Sequence, residues 1–160
     1  MLSPLEKNLP VTGSRTVVVA DDHELIREGI VAVVSRQPGF TIAGCASDAG
    51  ATFALVARHR PDLLLLDVYL GGHDGTHLVH DLATCYPCTR ILALCAFEEQ
   101  SSAQRFLSAG ASGFLVKSAS SARLIEALQT VSLGQVYASD RIRLAPMAMA
   151  NRSRVSDNGR

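Results

Sequence analysis

Short apolar runs recur at five places along this chain, and each is followed by a segment patterned as an amphipathic helix. Thr16-Val-Val-Val-Ala20, Phe40-Thr-Ile-Ala-Gly-Cys45, Leu63-Leu-Leu-Leu66, Ile91-Leu-Ala-Leu94 and Gly113-Phe-Leu-Val116 read as strands. Residues 24–35 place Ile26, Ile30, Val33 and Val34 at helical spacing, and a second helix over 51–60 stops at Pro61. A third, over 76–83, turns Val79 and Leu82 inward, and a fourth, over 101–108, ends before Gly110. The fifth, over 119–133, aligns Leu124, Leu128 and Val131 and closes at Gly134. Strands that are apolar throughout need cover on both faces, and strands joined through helices run parallel. The pattern predicts one α/β domain built on a doubly wound parallel sheet, in which functional groups gather at the carboxyl ends of the strands.

Composition narrows the class further. Hydrophobic residues make up 48% and charged residues 19%, enough apolar material for a real core. Lys+Arg and Asp+Glu both number 15, a neutral balance that excludes a strongly basic nucleic-acid binder and a polyanionic tail protein. No apolar run approaches the roughly 18 residues of a membrane span. Residues 1–14 mix Glu6, Lys7, Asn8 and Pro10 and read as a flexible leader without a secretory h-region. Cys45, Cys85, Cys88 and Cys95 form no dense framework, which suits a reducing cytoplasm. Residues 140–160 carry five arginines between Arg141 and Arg160 but lack periodicity, and read as a linker or tail.

The strand ends carry the chemistry. The first strand delivers Asp21 and Asp22, the third Asp67, the fourth Cys95 and the fifth Lys117. In a doubly wound sheet these ends share one edge, so three carboxylates converge with one ammonium. Carboxylates packed together raise one another's pKa unless a cation sits among them. A hard divalent ion such as Mg²⁺ takes one or two carboxylates and phosphate oxygens. Lys117, one of two lysines in a chain with 13 arginines, supplies a point charge suited to phosphate.

Three stretches, Val19-Ala-Asp-Asp-His-Glu-Leu-Ile-Arg-Glu-Gly-Ile30, Pro61-Asp-Leu-Leu-Leu-Leu-Asp-Val68 and Gly110-Ala-Ser-Gly-Phe-Leu-Val-Lys117, closely resemble the receiver domain of bacterial two-component response regulators. The opening Asp-Asp-His and the segment 127–139 look like the NarL/FixJ (LuxR-type) subfamily. The resemblance covers residues 15–139 and implies a flavodoxin-like (CheY-like) five-stranded sheet, order 2-1-3-4-5, with five helices. It implies that Asp67 is the phosphoacceptor, charged by a sensor histidine kinase. Mg²⁺ would be held by Asp21, Asp22, Asp67 and the backbone carbonyl of Tyr69. Lys117, Cys95 and Ala96 would bind the phosphoryl group, and Cys95 and Phe114 would form the switch. It further implies a cytoplasmic regulatory protein with slow autodephosphorylation, a possible homodimer, and control of transcription through an output domain outside these residues. Contact of this chain itself with nucleic acid or membrane is not expected.

Several positions depart from the family pattern. Cys95 stands where a Thr or Ser hydroxyl is usual, and Phe114 where many members carry a switching Tyr. Leu70-Gly71-Gly72 replaces the usual Met-Pro-Gly after the acceptor, and Ser118 follows the lysine in place of a proline. Tyr69 and Phe97, each two residues beyond a strand end, are expected to flank the acceptor and slow the attack of water.

Three other readings compete. A haloacid-dehalogenase-type phosphatase would need a second Asp two residues after the nucleophile, where this chain has Tyr69. A zinc module could use His77, His80, Cys85 and Cys88, although exposed histidines and incidental thiols in a loop explain the same spacing. An atypical receiver could signal by protein contact without phosphorylation, as the missing hydroxyls at Cys95 and Phe114 suggest. Cys45 reads as strand filler, and His23 and His73 as neighbours of the acidic cleft.

Overall fold

A computed structural model describes residues 13–144. Most of the leader and the arginine-rich residues beyond 144 lie outside this range. The elements alternate as the sequence predicts: β1 (Arg15–Ala20), α1 (Glu24–Ser35), β2 (Phe40–Ala46), α2 (Ala49–His59), β3 (Leu63–Asp67), α3 (Thr76–Cys85), β4 (Arg90–Cys95), α4 (Gln100–Ala109), β5 (Gly113–Val116) and α5 (Ser121–Ser132). A sixth strand, β6 (Tyr137–Ala138), follows α5, so the sheet has six strands in the order β2-β1-β3-β4-β5-β6, all parallel. The five-stranded expectation is corrected by this two-residue edge, too short to show a sequence period.

Strand periodicity divides the core into two layers. On one face, Val18, Ala20, Leu64, Leu66, Ala93 and Phe114 pack with Val56 of α2, Val79 and Leu82 of α3, and Phe106 of α4. On the other, Val17, Val19, Leu63, Leu65, Leu92 and Leu115 meet Val34 of α1 and Leu124, Leu128 and Val131 of α5. β1, β3 and β4 lie inside the sheet with both faces covered, which is why their sequences are apolar without alternation. Side-chain caps fix two helix starts: Ala51 N–H donates to Asp48 Oδ1 at 2.7 Å, and Arg123 N–H to Ser120 Oγ at 3.2 Å.

Packing continues past residue 139. Ile142 is buried in the layer that holds Phe106 and Phe114. The Gln100 side-chain amide bonds the Arg143 backbone twice, donating to its carbonyl at 2.6 Å and accepting from its N–H at 2.8 Å. Cys45, read from sequence as strand filler, lies in edge strand β2 with its side chain exposed.

Candidate functional site

Parallel register sets the site. Ala20 lies opposite Leu66, Asp67 opposite Leu94 and Cys95 opposite Val116, so β1, β3, β4 and β5 all end at one edge. The chain leaves these ends as Asp21-Asp22, Asp67, Cys95 and Lys117. Potential ligand atoms of Asp21, Asp22, His23 and Asp67 lie within 4.8 Å of one another, the sole such group of three or more His, Cys, Asp and Glu residues among the described residues. Lys117 Nζ sits 2.7 Å from Asp21 Oδ2 and 3.0 Å from Asp67 Oδ2. Asp67 Oδ1 accepts from Tyr69 N–H at 3.0 Å, and Asp22 Oδ2 accepts from Gly71 N–H at 3.2 Å. His23 closes the other side: its N–H donates to Asp21 Oδ1 at 2.9 Å, and its Nδ1 is 3.2 Å from both Asp21 Oδ1 and Asp22 Oδ1.

The electrostatics are lopsided. Burial pushes the Asp67 carboxyl above its ordinary range; the Tyr69 N–H and Lys117 oppose the rise, and Asp21 adds to it. Asp22 is more open: its slight burial works upward, but hydrogen bonding to Asp67, the charge of His23 and the Gly71 N–H hold it below its ordinary value. Burial works against the Lys117 ammonium, yet the Asp21 and Asp67 carboxylates outweigh it and raise its pKa. One ammonium faces three carboxylates. Oxygen donors with an unbalanced negative charge match what a hard divalent cation requires, and these residues fit Mg²⁺.

The remaining expected positions are less tightly gathered. The Tyr69 carbonyl accepts from Gly72 N–H at 2.9 Å and keeps a second lone pair. Cys95 is buried, and its carbonyl accepts from Lys117 N–H at 2.7 Å. Ala96 is exposed just beyond β4. Phe114 is fully buried on β5. Phe97 is 70% exposed, and the Tyr69 ring leans edge-on toward Phe106 of α4 at 6.5 Å. The Tyr69 ring is thus engaged with α4, which the sequence reading of a simple flanking shield did not foresee. His23 joins the carboxylates, whereas His73 is exposed outside the group. His77, His80, Cys85 and Cys88 form no metal-binding group, and Cys85 ends helix α3 rather than lying in a loop.

Sequence reasoning missed a second tier of residues. Arg27 donates to the Asp21 carbonyl at 2.7 Å. Arg105 of α4 donates to the Tyr69 hydroxyl at 3.2 Å and pairs with Asp74 Oδ2 at 3.1 Å. Asp74 in turn accepts from the N–H and hydroxyl of Thr76, at the start of α3. No motif spacing links 69, 74 and 105; only the fold brings them together.

Known proteins share this sheet and about a third of the sequence that builds it. The chain is 32% identical to the transcriptional regulatory protein DegU of Brevibacillus brevis over 76% of its own length and 51% of that protein's. It is 34% identical to the probable transcriptional regulatory protein NarL of Mycobacterium tuberculosis, over 74% of this chain and 55% of the relative. It therefore spans little more than half the length of these curated relatives. Among solved structures, the signal receiver domain of NarL from Mycobacterium tuberculosis superposes with a TM-score of 0.73 at 32% identity, covering 77% of this chain and 99% of that one. A two-component response regulator of the LuxR family from Aurantimonas gives 0.74 at 26% identity, covering 89% and 99%. The response regulator receiver domain model matches residues 17–129, a span that takes in every strand-end carboxylate and Lys117. The chain belongs to the response regulator receiver domain family.

Proposed function

We propose that this chain is a two-component phosphoacceptor in which Asp67 takes a phosphoryl group from a sensor histidine kinase. The observation that carries the reading is the Asp67 carboxylate at the end of β3, beside Asp21 and Asp22 and within 3.0 Å of the Lys117 ammonium. An Asp67 oxygen forms the new P–O bond as the phosphohistidine P–N bond breaks, and the imidazole nitrogen leaves with the bonding pair. Asp21, Asp22, Asp67 and the Tyr69 carbonyl are the groups that would hold Mg²⁺. When bound, that ion supplies positive charge against the phosphoryl oxygens. Lys117 neutralises a further oxygen, and the N–H groups of Tyr69 and Gly71 hold the carboxylates in place. Phosphoryl transfer asks mainly for in-line positioning and charge neutralisation, which this edge supplies.

The two relatives described above are named as transcriptional regulators, and this chain spans little more than half of each. We therefore assign it a regulatory role in transcription, exercised in the cytoplasm through an output domain outside residues 13–144. The test is intact mass after incubation with a small acyl phosphate. Wild type gains one phosphoryl group only with Mg²⁺ present, and Asp67→Asn gains none. Full labelling of Asp67→Asn would refute the assignment. A wild type that never labels, with donor, ion and kinase all supplied, would favour signalling by protein contact, the reading that the missing hydroxyls at Cys95 and Phe114 support.

A further inference from the structure

Five arginines gather at the edge of the sheet opposite the carboxylates. Parallel strands put every strand start at this edge, together with the C-terminal ends of the helices that return to them. Arg15 begins β1, Arg90 begins β4, Arg36 caps the end of α1, and Arg58 and Arg60 close α2. Only β3 separates β1 from β4, so those two strand starts are about 10 Å apart. α1 and α2 cover opposite faces, which puts Arg36 on one side of this row and Arg58 and Arg60 on the other. Arg36, Arg58 and Arg60 are exposed, and Arg15 and Arg90 are half-buried. None of the five has an acidic partner: the lysine and arginine ion pairs among the described residues belong to Arg105, Lys117, Arg123 and Arg141. The one carboxylate at this edge among the described residues, Asp62, is engaged elsewhere. Its Oδ2 accepts from the Thr16 N–H at 2.8 Å and from the Thr16 hydroxyl at 3.2 Å.

We propose that this edge is a docking surface for the phosphate backbone of a nucleic acid, contacted by Arg15, Arg36, Arg58, Arg60 and Arg90. The inference is independent of the chemistry at Asp67, which lies at the other end of the strands. Arg60 carries it furthest. It is the one non-glycine residue with a positive φ among the described residues, at 45°, in the left-handed position where glycine is usual after a helix. A side chain is kept there against the preference of the backbone. Its Nε donates to the Ala57 carbonyl at 3.2 Å and its guanidinium lies 4.7 Å over the Tyr86 ring, so the plane is held while the residue stays exposed. Cations beside α1 and α2 also offset the negative helix ends, but that effect is spent within a turn and does not call for arginine in left-handed backbone. A guanidinium is a planar fork that meets two phosphate oxygens at once. A protein partner would need apolar anchors. Leu25, Ile26, Tyr69 and Phe97 lie toward the carboxylate edge instead, and Leu133 alone of the large exposed apolar side chains lies here. A phosphate backbone needs no such anchor, because charge alone holds it and no sequence is read. A net charge of zero conceals this pole, since Asp21, Asp22 and Asp67 balance it from the far edge.

The test is fluorescence anisotropy of a short labelled DNA duplex of arbitrary sequence, titrated with the whole chain between about 50 and 200 mM salt. Wild-type binding should weaken steeply across that range, with about 0.9 in the slope of log K against log salt for each phosphate contacted. Arg58→Gln should flatten the slope by about 0.9, and the triple variant Arg36→Gln/Arg58→Gln/Arg60→Gly by about 2.7. At about 50 mM salt the triple variant should bind about ten-fold more weakly or worse. Arg36 and Arg58 are exposed and glycine suits the left-handed position 60, so the melting temperature and the labelling of Asp67 should stay as in wild type. Arg152→Gln/Arg154→Gln, which removes charge outside the described residues, should keep most of the binding. No binding by wild type at low salt, an unchanged slope in the triple variant, or loss of binding in the Arg152/Arg154 variant instead would overturn the proposal. Polyglutamate bound as tightly as the duplex, with the same dependence on these arginines, would overturn it in favour of an acidic protein segment. Labelling of Asp67 is read separately, so failure of this surface leaves the phosphoacceptor reading standing, and the converse holds.

Discussion

Lys117 Nζ lies 3.0 Å from Asp67 Oδ2, and the same nitrogen is 2.7 Å from Asp21 Oδ2. Removing a charge from such a buried group leaves carboxylates without compensation. Lys117→Met should cost about 3–5 kcal/mol in metal-free buffer, read from urea unfolding. Asp67→Asn should act in the opposite direction. Burial raises the Asp67 pKa in the folded state, so the stability it lends is full below the ordinary aspartate value. That contribution disappears as pH rises through the raised value, so a neutral amide is favoured near pH 7. On the proposed reading, in which Mg²⁺ is held by the folded carboxylate cluster, added Mg²⁺ should stabilise wild type more than Asp67→Asn. Equal stability of Lys117→Met and wild type without metal would contradict this balance.

The loop after Asp67 leaves no room at Gly75. Its N–H donates to the Val68 carbonyl at 2.7 Å, and a Cβ there would lie 2.7 Å from that same oxygen. Gly75→Ala must push the loop away from the end of β3, at a cost of about 1–3 kcal/mol. Labelling of Asp67 should slow as well, because Val68 adjoins it. Gly50 near the start of α2 is the contrast: a Cβ there meets nothing closer than Asp48 Oδ1 at 3.5 Å. Gly50→Ala should therefore stabilise by about 0.5–1 kcal/mol. Two alanine variants with the same sign of effect would show that close approach is not what Gly75 serves.

These sites differ in how far the sequence reveals them. Asp21, Asp22, Asp67 and Lys117 were legible because each ends an apolar run, and parallel topology turns strand ends into neighbours. The helices α1 and α5 were legible from period, since Val34, Leu124, Leu128 and Val131 repeat on one face. α3 was read short because its last turn, with Thr84 and Cys85, carries no apolar signal and no breaker until Pro87. α2 starts earlier than read because Asp48 caps it, a signal masked by Gly50 just inside. β6 and Ile142 were missed since a two-residue strand and one isolated apolar residue have no period. Arg105 and Asp74 were missed for a different reason: their pairing depends on how α4 lies over the β3–α3 loop, which only tertiary packing decides.

On the phosphoacceptor reading, Cys95 and Phe114 would set how strongly a phosphoryl group is read. Cys95 is buried at the end of β4, and a thiol is a weak donor. A hydrogen bond to a charged group contributes about 1.5–3 kcal/mol, most of which a thiol forgoes. Moving a population from mostly inactive to mostly active takes about 5.5 kcal/mol, so on this reading the loss would leave the switch partly thrown. Cys95→Thr should enlarge the beryllofluoride-induced shifts around Phe114. A saturated shift in wild type, unaltered by the threonine, would show that Lys117 and the loops suffice.

Asp74 gives stability a dependence on pH that its surroundings specify. Its carboxylate accepts from the hydroxyl and N–H of Thr76, and these bonds hold its pKa below the usual aspartate value. Slight burial works the other way, while the charges of Arg105 and His77 add to the lowering. A carboxyl lowered in the folded state contributes stability that is complete above its unfolded value, about 4. The contribution is lost as pH falls through the folded value. Its size at pH 7 is that of an exposed hydrogen bond from the Thr76 N–H to the residue before the Gly75 N-cap, about 1 kcal/mol. The Arg105 pair is exposed and adds little, more at low salt than at physiological ionic strength. Asp74→Ala should thus be less stable than wild type by about 1 kcal/mol at pH 7, with the gap closing as pH falls below about 4. Asp74→Asn keeps an oxygen that can accept from Thr76 and should lose less at pH 7. Urea unfolding of the three proteins at several pH values measures each gap. A wild-type advantage over Asp74→Ala that holds constant from neutral to acid pH would mean the carboxylate charge plays no part.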